Sequence, residues 1–121
     1  MLFDVGRTTI AGRPALTVRG ELDVTTAPML ATDIEQQLDA SPTALVIDLT
    51  ATTFLDSSGA RQLVRGARAA AAAGVELHVI CPRSNGPARL TIDLLDLASL
   101  VPVVESSAEI PGGSSRREAR P

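Results

Sequence analysis

Residues 45–79 constrain this chain more than any other stretch of it. Leu45-Val46-Ile47-Asp48-Leu49 is a short, nearly continuous apolar run with β-branched residues, the pattern of a central strand buried on both faces. A helical period follows, with Ala60, Leu63, Val64, Ala67 and Ala71 on its inner side. Ala69 to Ala73 combine high helix propensity with little bulk, and Gly74 offers the usual stop. Val75, Leu77 and Val79 then alternate with Glu76 and His78, so a second strand returns. Strand, helix and strand in this order make a crossover that is nearly always right-handed. The fold class is therefore α/β.

The flanking segments extend that unit. Leu2 to Ile10 alternates loosely, Ala11-Gly12-Arg13-Pro14 turns, and Leu16 and Val18 alternate with Thr17 and Arg19, which predicts an antiparallel hairpin. Gly20-Glu21-Leu22-Asp23 breaks the alternation. Thr25 or Thr26 can cap a first helix, with Pro28 in its opening turn, where a missing N–H costs nothing. Leu30, Ile34 and Leu38 give this helix one apolar stripe, and Ser41-Pro42 ends it. Asn85-Gly86-Pro87 opens a third helix to about Leu95, and Val101 to Glu105 is the expected last strand. From Ser106 the chain is rich in Ser, Gly, Pro and Arg. Residues 1–105 are thus expected to form the domain, and 106–121 a disordered, dispensable tail.

Composition excludes several kinds of function. The 121 residues suffice for one core, and the only aromatics are Phe3 and Phe54, so aliphatic side chains and alanine must build it. A net charge of −3, from 14 acidic and 11 basic residues, gives no electrostatic grip on nucleic acid. Arg61, Arg65 and Arg68 recur at helical spacing, and Arg116, Arg117 and Arg120 lie in the tail; both sets read as solvated surface. A lone Cys81 forms no internal disulfide and suits a reducing compartment. No signal-peptide pattern and no membrane-length apolar run occurs, so a cytoplasmic location is expected. The chain has no lysine and hence no P-loop. His78 reads as a solvent-facing strand residue, and no G-x-S-x-G elbow exists to pair with it. No enzyme, cofactor or metal site is expected.

In such a sheet, function gathers at the loops beyond the carboxyl ends of strands. These are Gly20–Thr25, Thr50–Ser58 and Cys81–Asn85. Phe54-Leu55 can plug the core and deliver Asp56-Ser57-Ser58-Gly59 to the second helix. With Ser58 as cap, Ser57 lies just outside the helix with its hydroxyl free. A phosphate there is tolerated, because helix N-termini favour anions.

Gly20-Glu21-Leu22-Asp23 and, some thirty residues on, Val46-Ile47-Asp48-Leu49…Phe54-Leu55-Asp56-Ser57-Ser58-Gly59 together resemble the hallmark segments of bacterial anti-sigma factor antagonists, whose shared domain is called STAS. The resemblance covers about residues 3–105. It implies a single STAS domain, a mixed, mostly parallel sheet flanked by helices. It also implies an unphosphorylated form that binds an anti-sigma factor serine kinase and frees the sigma factor. Phosphorylation of Ser57 would release the complex, and a serine phosphatase would restore it. The partner surface implied by the matching positions is Glu21, Asp23, Thr25, Asp56, Ser58, Gly59 and Ala60. The alternative is a constitutive STAS scaffold, or an accessory subunit of a signalling or membrane transport complex. Three departures stand out: Ala60 where relatives often have a bulky Leu, Asp93-Leu94-Leu95-Asp96-Leu97 where they have a Gly-Leu pair, and Ile110-Pro111-Gly112-Gly113, which cannot continue a final helix.

Overall fold

A computed structural model describes residues 3–111. The predicted hairpin is present: β1 (Asp4–Ile10) pairs antiparallel with β2 (Arg13–Leu22). Every other pairing among the described residues is parallel. β2 lies beside β3 (Ala44–Asp48), β3 beside β5 (Glu76–Ile80), and β5 beside the short β6 (Val103–Val104). The sheet is thus mixed and mostly parallel, in the order β1-β2-β3-β5-β6. β4 (Thr52–Leu55) was not anticipated; it pairs with the far end of β2 after a register shift between Gly20 and Glu21. Gly20 has a φ of 96°, which glycine tolerates at such a bulge, so the GELD segment continues the strand with an irregularity.

Among the described residues three α-helices flank the sheet: α1 (Ala27–Asp39), α2 (Ser57–Ala72) and α3 (Gly86–Leu94). Their buried Leu30, Ile34, Leu63, Ala70 and Ile92 join Leu16, Leu45, Ile47, Leu77 and Val79 of the strands in one cluster. The alternating residues Ala15, Val46 and Ile80 face the other way and form a second cluster with Ile110. β3 is therefore buried on both sides, as its apolar run predicts. No helix of the described residues is long and apolar enough to cross a membrane.

Two expectations fail on that second face. His78 pairs in register with Val46 and is only 9% exposed, so it is not the solvent-facing residue that alternation suggested. Its Nδ1 finds no hydrogen-bond partner among the described residues. Nor does order end at Glu105. Ser107–Glu109 makes a 3-10 turn, and Ile110 beyond it is 6% exposed. The Arg13 guanidinium, itself buried, donates to the Pro111 carbonyl at 2.6 Å and pairs with Glu76 at 3.6 Å. The remainder of the expected tail, 112–121, lies outside the described residues.

Truncation after Glu105 therefore has a different expected result from the neutral one that composition suggests. It removes a buried isoleucine, worth about 2 kcal/mol, and takes the Pro111 carbonyl from the Arg13 guanidinium, which keeps its pairing with Glu76. A chain ending at Pro111 keeps both contacts. Thermal melting of the two should place the shorter one lower by roughly 5–10 °C. Coincident curves would mean that Ile110 contributes nothing to the core.

Candidate functional site

The site begins with a close approach between two loops. Gly59, in the first turn of α2, sits so near the end of β2 that a Cβ there would lie 2.7 Å from the Leu22 carbonyl oxygen and 2.8 Å from the Leu55 side chain. The Asp56 N–H donates to the same Leu22 carbonyl at 3.3 Å. The residue after Leu22 is Asp23, and the residue after Asp56 is Ser57. The bare glycine thus lets the two acidic loops meet.

Each loop is internally braced. The Asp23 carboxylate accepts the N–H groups of Thr25 (3.0 Å) and Thr26 (3.1 Å). The Thr26 hydroxyl donates to the Glu21 carbonyl at 2.6 Å and accepts the Asp23 N–H at 2.9 Å. Neither Thr25 nor Thr26 caps α1 with its side chain, contrary to expectation; the Ala27 N–H is taken by the Asp23 carbonyl instead. In the second loop the cap of α2 is Asp56, whose Oδ1 accepts the Gly59 N–H at 2.9 Å. Ser58 is not the cap, and Ser57 lies within the first turn. Asp56 holds the extended backbone that an N-cap needs, and its longer carboxylate reaches three residues on.

Asp56→Ala is accordingly expected to cost about 1 kcal/mol, and Ser58→Ala close to none. Denaturant midpoints of the two variants test this. A larger loss for Ser58→Ala would return the cap to the serine.

The neighbouring elements complete the frame. Asn85 caps α3 and donates its side-chain amide to the carbonyls of Leu49 (2.9 Å) and Thr52 (2.8 Å). Thr91 of α3 donates to the Leu55 carbonyl at 2.5 Å. The third loop and α3 thereby hold β4, and β4 leads directly to Asp56. Burial and Arg89 act on Cys81 in opposite senses. Burial dominates and pushes its thiol above the ordinary range. It packs at this edge as a small, buried side chain.

Exposure sorts the expected site residues. Glu21, Thr25 and Ser57 are exposed, while Asp23, Asp56 and Ser58 are half-buried. Gly59 and Ala60 are buried and support the surface from beneath. Phe54 does not plug the core. It pairs in register with Glu21 and is 46% exposed, leaving Leu55 to fill the interior. Val24, at 70% exposure, projects from the first loop. The sequence reading places Phe54 in the core and does not single out Val24; in Thr52-Thr53-Phe54-Leu55, strand alternation counted back from a buried Leu55 turns Phe54 outward.

The STAS domain family model matches residues 7–110. The chain belongs to the STAS domain family. Among solved structures, an anti-sigma factor antagonist from Mycobacterium paratuberculosis is 29% identical, with a TM-score of 0.71 over 87% of each chain. A candidate anti-sigma factor antagonist from Thermotoga maritima, 15% identical, matches 87% of this STAS domain chain and 89% of its own at a TM-score of 0.75. The anti-sigma factor antagonist SpoIIAA in its unphosphorylated form is 16% identical, covering 89% and 92% at a TM-score of 0.62. The last two similarities are of fold alone. No curated protein matches the sequence.

Proposed function

We propose that this STAS domain is an anti-sigma factor antagonist whose unphosphorylated form binds a kinase-type anti-sigma factor and so frees the sigma factor. Phosphorylation of Ser57 ends that complex, and a serine phosphatase restores it. One observation carries the reading: Ser57 is exposed in the first turn of a capped helix, and the Gly59–Leu22 approach sets the Asp23 loop beside it. A hydroxyl so placed is open to a kinase, and the helix N-terminus accommodates the phosphate it would receive. Glu21, Asp23, Thr25, Asp56 and Ser58 make the surface around it, with Gly59 and Ala60 as its support. The mycobacterial structure, at 29% identity, is of an anti-sigma factor antagonist and supports that part of the reading. A cytoplasmic setting fits this role.

Incubation with the cognate anti-sigma kinase and ATP tests it directly. The wild type should gain one phosphate, Ser57→Ala none, and Ser58→Ala one. A phosphate mapped to Ser58, or to a threonine of Thr50–Thr53, would overturn the assignment.

A further inference from the structure

Among the described residues, three guanidinium groups on α2 have no carboxylate partner. Arg7, Arg13, Arg19, Arg83 and Arg89 all enter ion pairs, whereas among the described residues the exposed Arg61, Arg65 and Arg68 enter none. At 3.6 residues per turn, Ser57, Arg61, Arg65 and Arg68 fall within about 80° of one another on the helix. They are one row, and it begins at the serine.

An apolar trough runs beside that row. Ala60, Val64, Ala67 and Ala71 form its α2 wall, and Leu95, Leu100 and Pro102 contribute opposite them. Two grooves, of about 260 Å³ and 520 Å³, share Leu100; Arg61 lines the first, and Arg68 lines the second together with Glu76 and His78. Arg65 stands at the far edge of the row, beside Glu35 in the groove toward α1. Leu95 and Leu100 remain 47% and 58% exposed, a cost that a partner's apolar side chains would relieve.

We propose that this face of α2 is a docking groove for an acidic amphipathic segment of a partner protein. Its carboxylates pair with Arg61, Arg65 and Arg68, and its apolar side chains enter the trough against Leu95 and Leu100. Charge complementarity selects the occupant. Three unpaired cations on a chain of net charge −3 form a local acidic-ligand site, not the extended basic surface that a nucleic acid demands. The trough beside them calls for a ligand with a second, apolar edge. Arginine forks suit carboxylates in particular.

The groove also deepens the proposed function, in a part that rests on that reading. Ser57 stands one turn before Arg61, where side chains four apart are neighbours. A phosphate on Ser57 takes up the first guanidinium of the row and repels the incoming carboxylates.

The test uses the whole chain and a fluorescent amphipathic peptide with glutamates along one edge and leucines along the next. Anisotropy titration should give saturable binding to the wild type. Binding should weaken about tenfold or more with the Arg61→Gln, Arg65→Gln, Arg68→Gln triple variant, and similarly when the peptide's glutamates become glutamines. Leu100→Glu, a separate variant, should weaken it too. The idea is overturned by absent binding, by equal affinity of either control, or by a single-stranded DNA of equal charge that binds as tightly. It is also overturned by a concentration-dependent dimer that the triple variant abolishes, since the occupant is then a second copy. No phosphorylation enters these titrations, so their failure leaves Ser57 standing, and an unphosphorylated Ser57 leaves the groove standing.

Discussion

Ser57→Glu should retain the native circular dichroism and melt within a few degrees of the wild type, yet bind the anti-sigma partner about a hundredfold more weakly. The two halves of this expectation have different causes. Within the domain, an anion at the start of α2 faces the positive end of the helix, and a glutamate four residues before Arg61 is the favourable order for an ion pair. The fold therefore loses little. At the partner surface the same charge adds to Asp56 and to the Asp23 loop that the Leu22 contact brings alongside. A few kcal/mol of repulsion and desolvation there corresponds to roughly two orders of magnitude in affinity, at about 1.4 kcal/mol per tenfold. A true phosphate, with about −1.5 to −2 charges, should act more strongly than the glutamate. Titration calorimetry beside a melting curve of the same variant separates the halves. Unchanged affinity would sink the switch and favour a constitutive scaffold. A collapsed fold would make Ser57 structural.

Gly59→Ala is expected to do the reverse, harming the fold first. The added carbon would meet the Leu22 carbonyl oxygen at 2.7 Å, the Leu22 Cγ at 2.8 Å and the Leu55 Cδ1 at 2.8 Å. Side chains can shift a little, but the carbonyl belongs to a paired strand and cannot. Alanine's better helix propensity, under about 1 kcal/mol, does not offset that clash. The loss should be about 2–3 kcal/mol, or roughly 10 °C in Tm. Partner binding should fall further than the melting point implies, because α2 must back away from the Asp23 loop. Gly86→Ala serves as the control: nothing lies within 4 Å of its Cβ position, in the first turn of α3, so its Tm should hold or rise slightly. If Gly59→Ala melts like the control, the two loops are not locked together.

Local sequence pattern alone sets the order of the helices and of every strand but β4, and the segment proposed as the site. Period and run length settle local structure without help from the rest of the chain, so the hairpin, the doubly buried β3, the alanine-rich α2 and its stop at Gly74 were all legible. So was the position of Asp56-Ser57-Ser58-Gly59 at the opening of α2, since a strand-to-helix junction rich in Asp and Ser admits few other arrangements. Tertiary structure decided which side chains face water and which of several suitable groups caps a helix. His78 alternates like a solvent residue, but its sheet face is one that Ile110 helps to bury from 32 residues away in the chain. Phe54 is hydrophobic enough for the core, but pairing β4 with β2 gives the interior to Leu55 and turns Phe54 out beside Glu21. Asp56, Ser57 and Ser58 can all cap; the backbone conformation at residue 56, pinned by the Leu22 carbonyl, chose the aspartate. Alternation reports the direction of a side chain. What covers it depends on segments distant in sequence, and no local pattern carries that information.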